Sequence, residues 1–442
     1  MIQLSDHFTY HRLLRFTFPS IIMMIFTSIY GVVDGFFVSN YVGKTSFAAV
    51  NLIMPVLMIL GCVGFMFGTG GAALVAMTLG EKKEKRAREI FSMIVCVSAL
   101  AGLLLAVLGM IFLRPIAILL KADGQLLEDC VLYGRIILSA LPFFVLQYEF
   151  QCLFSTAEKP KLGLLVTVAA GCTNMVLDAL FVAVFNFGVA GAAVATAMSQ
   201  FVGGFIPILY FAKKRGECKL YLCRFRFDGK ALLKACSNGA SEFMSNVSFS
   251  LVGMLYNLQL IRFAGENGIA AYGVLMYVSM IFQAIFIGYA VGSSPIVGYH
   301  YGAQNHAELK GILKKSLILT GIASVLMFAA GEGLARPLSA LFVGYDETLF
   351  FITLEAFFIY SFSFLLCGIP IFGSSFFTAL NDGLTSALIS FLRTLVFQVA
   401  FVLIMPEIWK LTGIWLSIVF AEVAAVVVTV CFLIGKRKKY GY

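Results

Sequence analysis

Twelve apolar segments, each long enough to cross a bilayer, follow one another along the chain, with short polar joints between them except for one longer basic stretch after the sixth. They fall at roughly 14–39, 47–77, 91–113, 130–154, 161–185, 190–212, 238–263, 269–299, 312–335, 348–374, 384–406 and 412–435, and about 20 apolar residues span hydrocarbon as a helix. Few folds remain open to such a chain. Inside a bilayer every backbone N–H and C=O needs an internal partner, so the segments are predicted to form spanning helices. Composition agrees, with 60% hydrophobic and 12% charged residues against roughly 25% charged in soluble domains. A soluble globule of this length would need more polar surface than that.

The first span is expected to be its own insertion signal, because the apolar run after His7, His11, Arg12 and Arg15 continues past Asp34, too far for a signal-peptide core. Twelve spans put both termini on one side. Of the 32 Lys and Arg, 24 fall on that side, seven fall on the other and Arg393 lies within a span. Basic residues concentrate on the cytoplasmic face of membrane proteins, so both termini are expected in the cytoplasm. The same loops account for the net charge of +9 by facing anionic lipid, without nucleic acid as a partner. Trp409 and Trp415, the only tryptophans, flank an expected outer connection, where indole anchors belong. The ten cysteines include no CxxC pair and are expected to be plain core or loop residues.

An internal repeat organises these spans. At a shift of 222 residues the sequence matches itself without gaps: Gly70 falls on Gly292, Gly80 on Gly302, and Arg114-Pro115 on Arg336-Pro337. Ala48-Ala49, Thr156-Ala157 and Gly191 likewise fall on Ala270-Ala271, Thr378-Ala379 and Gly413. Each half holds six spans, an even number, so both enter the membrane the same way round. The predicted fold class is therefore an all-α membrane protein of twelve transmembrane helices in two six-helix lobes related by a parallel repeat. The lobes are expected at 1–212 and 237–442, joined by a basic cytoplasmic linker at 213–236. Secondary transporters use this arrangement around a central site.

Charges inside the membrane cost roughly 2.5–3.5 kcal/mol each on insertion scales, so each needs a reason. Tyr30 and Asp34 lie four apart on the first span, Asn174 and Asp178 on the fifth, and Thr196 and Gln200 on the sixth; each pair shares a helix face. Their direction of travel puts Asp34, Asp178 and Thr196 at one depth, in the outer half of the membrane. Such an oxygen-rich cage suits Na⁺ or H⁺, with no other metal expected. For Tyr30, Thr196 and Gln200, simple hydrogen bonding between helices is the alternative reading. At the 222 shift Asp34 falls on Tyr256 and Asp178 on Ala400, so the acid pair is not an architectural feature of both halves. Gln200 and, in the second half, Glu242 and Glu355 are expected to line a cavity, with Arg393 as counter-charge; Glu332 and Glu422 are expected to reach the interface or a neighbouring helix. Glu149 has no assigned role. Pro19, inside the first span, is expected to kink it, since proline removes a helical hydrogen bond.

No catalytic constellation accompanies these residues. Gly43-Lys44-Thr45 resembles the end of a P-loop, but Val38 stands where its first glycine belongs. The reading is a non-enzyme without cofactor, working as a monomer in membrane lipid on small organic molecules.

The stretch Asn174-Met-Val-Leu-Asp178-Ala-Leu-Phe181, followed by Gly188-Val-Ala-Gly191-Ala-Ala-Val-Ala-Thr196 and Gln200, resembles the fifth-to-sixth helix signature of the multidrug and toxic compound extrusion family. Pro19, Asp34 and Ala48-Ala49 resemble its first two helices, and the repeat extends the likeness over the whole chain. The resemblance implies two six-helix lobes exporting organic cations or drugs across a bacterial plasma membrane, in exchange for Na⁺ or H⁺. It also implies that Asp34, Asn174, Asp178 and Thr196, with Tyr30 nearby, form the coupling-cation site. The overall look is closest to Gram-positive multidrug members. A flippase for a lipid-linked precursor in the same superfamily is the alternative, and a membrane enzyme or receptor a more distant one.

Overall fold

The computed structural model describes residues 2–214 and 218–442; Arg215, Gly216 and Glu217 of the expected linker, and Met1, lie outside the described residues. Among the described residues the regular structure is helical. In chain order come α1 (Tyr10–Tyr41), α2 (Lys44–Gly61), α3 (Val63–Gly80), α4 (Glu84–Leu119), α5 (Gly124–Ser139), α6 (Leu141–Thr156) and α7 (Pro160–Asp178). Then follow α8 (Gly188–Phe211), α9 (Gly229–Gly302), α10 (His306–Val343), α11 (Glu347–Ala379), α12 (Gly383–Phe391), α13 (Phe397–Gly435) and α14 (Arg437–Tyr440). Short π-helical segments follow α7 (Ala179–Val184) and α12 (Leu392–Val396).

α2 and α3 join through Cys62, whose φ of −62° and ψ of −15° are helical, and make one span. α5 and α6 make another, bent by 56°. The two longest helical stretches are hairpins. Tyr256 and Tyr272 of α9 stack with ring centroids 5.1 Å apart, whereas sixteen residues of straight helix would part them by about 24 Å. The reversal lies at Gly265, whose φ is +61°. Likewise Ser417 Oγ donates to the carbonyl of Phe401 at 3.0 Å, and α13 reverses at Lys410 with φ +52°. Counted so, the fold has twelve spans.

The 222-residue repeat reappears in backbone geometry. Gly43 (φ +96°) is matched by Gly265 (φ +61°), Lys82 (φ +59°) by Gln304 (φ +54°), and Gly188 (φ +59°) by Lys410 (φ +52°). Each pair marks the same connection in the two halves.

The bundle is apolar outside and finer-grained within. On α4 the large side chains Leu100, Leu103, Leu104, Val107 and Ile111 are exposed, while Ser98, Gly102 and Ala106 are buried. Lipid gives no drive to bury leucine, so small residues that allow close backbone approach take the interior. At the face that carries the termini, a short arm before α1 joins the halves. The Leu4 amide donates to Glu158 Oε1 at 2.8 Å, and the Phe8 amide to Glu308 Oε1 at 2.8 Å. The described part of the linker packs on the first half: Leu220 is buried with Phe91 and Phe211, and Ser92 Oγ accepts from the Cys223 amide at 2.9 Å.

Candidate functional site

α1, α7 and α8 bring the first-half polar residues together. Gly171 on α7 has no side chain to collide with Phe26 and Tyr30; a Cβ there would stand 2.8 Å from Tyr30 Cδ1. The close approach lets Asp34, one turn beyond Tyr30, meet Asp178, two turns beyond Gly171. The two carboxyl groups are close enough to act on each other's charge, with Asn174 beside them. Thr196 Oγ1 donates to Asp34 Oδ1 at 3.5 Å, and Asn174 Nδ2 to Thr196 Oγ1 at 3.5 Å. These are long bonds, at the outer limit of the geometry.

Burial is graded across the cluster. Asp178 is wholly buried and Asn174 nearly so, while Asp34, Thr196 and Tyr30 keep partial exposure. Both Asp178 oxygens and Asn174 Oδ1 are buried without a hydrogen-bond donor among the described residues. Among the described residues no Lys or Arg pairs with either carboxylate. An acceptor-rich site of this kind in hydrocarbon requires a positive charge from elsewhere, and a proton or a small hard cation is what it can hold. The π-helical turn Ala179–Val184 begins directly after Asp178; such turns recur at functional sites.

Two neighbours were not foreseen from sequence. Tyr133 on α5 is 1% exposed and lies near Thr196 and the two carboxyl groups, with its hydroxyl donating to Met54 Sδ at 3.7 Å. Gln147 on α6 lies near Tyr30. Tyr133 is one of 17 tyrosines and shares no helix face with another site residue, so its own segment carries no signal. Glu149, two residues beyond Gln147, is wholly buried with a hydrogen bond from Ser98.

A second feature is a cavity of about 370 Å³ between the halves, lined by Met24 and Thr27 of α1, Phe65 of α3, and Glu242, Arg393 and Glu422 of the second half. Of the three residues expected to line a cavity, Glu242 does. Gln200 is instead buried on α8 and lies outside that lining. Glu355 also lies outside it: two turns into α11 it is exposed and accepts from Thr412 Oγ1 at 3.2 Å. Glu422, expected at the interface or a neighbouring helix, meets Arg393: Arg393 Nε lies 3.0 Å from both its oxygens and Nη2 2.9 Å from Oε1. Glu332 accepts from Ser361. Tyr256, which stands at the position equivalent to Asp34, donates to Gln398 at 2.9 Å. Pro19 is buried within α1, and the helix runs on through it from Tyr10 to Tyr41.

The MatE family model matches this chain twice, over residues 19–180 and 243–404. The Multidrug export protein MepA of Staphylococcus saprophyticus is 24% identical over 427 residues, covering 95% of this chain and 91% of that protein. A crystal structure of MATE in complex with MaL6 shares the fold at TM-score 0.91 and 23% identity, covering 98% of this chain and 97% of that one. A MOP superfamily transporter from Pyrococcus furiosus, described as having a binding pocket of reverse polarity, gives 0.88 at 24% identity, over 98% and 96% of the two chains.

Proposed function

The chain belongs to the MatE family, and we propose that it is a secondary active multidrug exporter, moving organic cations out of the cell in exchange for Na⁺ or H⁺. The observation that carries this reading is the donor-poor cage of Asp34, Asn174, Asp178 and Thr196. A buried carboxyl pair with no basic partner is costly as structure alone. As a site that loads and unloads one positive charge, it has a use. Partial exposure of Asp34 and Tyr30 gives the driving ion a way in, and the buried Asp178 holds it. The drug-export naming of the relative covering 95% of the chain supports the same reading.

The halves 1–212 and 237–442 act as the two moving bodies, with 213–236 as linker. Opening and closing between them exposes the central cavity to each side in turn, as other repeat-built transporters do. Glu242 gives that cavity a carboxylate for a cationic substrate, and two glutamates to one arginine in its lining suit a cation better than a pyrophosphate-linked lipid. The 24-to-7 charge asymmetry supports placing both termini in the cytoplasm of a bacterial plasma membrane. On a Cys-free background, a cysteine at Lys219 should resist an impermeant thiol reagent in intact cells and one at Trp409 should react; the reverse would overturn that orientation.

Purified protein in liposomes tests the exchange. Efflux of a fluorescent organic cation should accelerate under either an inward Na⁺ gradient or an inward proton gradient. Efflux indifferent to both would contradict the proposal.

A further inference from the structure

The exchange reading leaves the Arg393–Glu422 pair without a task. A cavity that only receives cations gains nothing from a guanidinium in its wall. Burying an ion pair seldom adds stability over an apolar pair of the same volume, and the repeat shows that the frame does not need it. At the 222 shift Arg393 falls on Gly171 and Glu422 on Gln200, so the first half folds without any such pair.

Three observations place Arg393 toward a ligand. It lies in the π-helical turn Leu392–Val396, as Asp178 lies directly before the π-helical turn of the first half; each half thus has a π turn at its buried charge. Its side chain is 14% exposed while that of Glu422 is 3% exposed, and both line the cavity between the halves. Its Nε and Nη2 serve Glu422, and Nη1 has no hydrogen-bond partner among the described residues. Guanidinium presents its donors in a planar fork that matches a carboxylate, and the unserved edge is free to take a second one. Glu242, within electrostatic range of Arg393, has a carboxylate without a described partner and lines the same space.

We propose that Arg393 is an anion-recognising subsite of the central cavity, so that the preferred substrates carry a carboxylate as well as a cationic group. The cationic group lies toward Glu242, and the carboxylate takes the open edge of Arg393 in competition with Glu422. This rests on the export reading above. It makes the second half the selector of substrates by charge pattern.

The test uses two matched probes, 4-(trimethylammonio)benzoate and its methyl ester, which keeps the cation and caps the carboxylate. Binding to the purified full-length protein and gradient-driven efflux from liposomes are both measured, and the quantity read is the ratio of zwitterion to ester. Wild type should favour the zwitterion about tenfold in binding, the effect of a charge-assisted pair. Replacing the pair together, Arg393→Met with Glu422→Met, should bring the ratio to about one. Glu422→Gln alone removes the competing carboxylate and should raise the ratio above that of wild type. Opposite movements in the two variants cannot come from a general loss of folding. A wild-type ratio near one with the ester still exported, or a ratio that the paired replacement leaves unchanged, overturns the subsite alone. If neither the Na⁺ nor the proton gradient drives efflux of any organic cation, the two probes included, the export reading is overturned, and this inference with it.

Discussion

Gly80, at the end of α3, lies against the backbone carbonyl of Tyr299 in α9, with no room for a side chain between them. Its repeat mate Gly302 lies in the same way against the carbonyl of Met77, and 77 and 299 are themselves one repeat apart. The contact is reciprocal, as a two-fold interface requires. Gly70 against Ala235 and Gly239, and Gly292 against Thr17, repeat the pattern farther along. Gly80→Ala should therefore destabilise the protein by about 1–3 kcal/mol, the usual cost of overpacking. Gly253→Ala, where a Cβ meets nothing within 4 Å, should be neutral or gain up to about 1 kcal/mol from helix propensity. Unfolding in detergent distinguishes the two, and equal effects would contradict the packing described.

The reversal at Lys410 has φ +52° and ψ −127°, a conformation that a residue with a Cβ adopts only at a cost. Its counterpart in the first half is Gly188, with φ +59°. Lys410→Gly should stabilise the protein by roughly 1 kcal/mol through release of that strain. A loss of stability in the same unfolding assay would show that the lysine side chain matters more than the backbone.

The number and order of spans were legible because hydropathy and the repeat both report on the bilayer, which treats every segment alike. Gly70, Gly80, Gly292 and Gly302 stood out at one fixed spacing because two backbones meet there, which only glycine permits. Hydropathy carried less about ends. α4 begins at Glu84 and runs to Leu119, beyond the 91–113 apolar run, because Glu84, Arg86, Arg88 and Glu89 are good helix formers outside the lipid. The 56° bend between α5 and α6 had no mark in hydropathy, which measures how apolar a segment is and not its direction.

A cluster at the terminal face gives the protein a defined acid sensitivity. Partial burial works to raise the Asp382 carboxyl, but hydrogen bonds from Lys436, Tyr440 and Thr385 outweigh it and hold it down at about 2. Lys436 Nζ stands 2.7 Å away, Tyr440 Oη 2.7 Å and Thr385 Oγ1 2.8 Å. A carboxyl held below its ordinary value stabilises the fold above that ordinary value, and the contribution disappears as pH falls through the folded one. Asp382→Asn should thus cost about 1 kcal/mol at neutral pH, the shift being discounted for solvent screening at this partly exposed site, and the difference from wild type should shrink between about pH 4 and pH 2. A difference that is constant across that range would mean the cluster contributes shape and not charge.

The polar residues of the first half were legible in pairs because i and i+4 share a helix face, so Tyr30–Asp34, Asn174–Asp178 and Thr196–Gln200 declared themselves. Assembly across helices is a tertiary matter. It drew Thr196 in and left Gln200 buried outside the cavity lining, and it added Tyr133 from a helix with no such pair. The Arg393–Glu422 pairing was hidden for the same reason. The two residues lie 29 apart on antiparallel spans, and sequence shows only that each charge needs a partner.

On the proposed exchange, Asp34 and Asp178 together hold the driving ion. The most direct measurement is gradient-driven efflux of one organic cation from liposomes containing wild type, Asp34→Asn or Asp178→Asn, with equilibrium binding of the same cation measured on each. Asparagine keeps the size and much of the hydrogen bonding but removes the charge. Both variants should fold and bind the cation, while their efflux falls to the rate seen without a gradient. Efflux by either variant that responds to the gradient as wild type does would contradict that assignment.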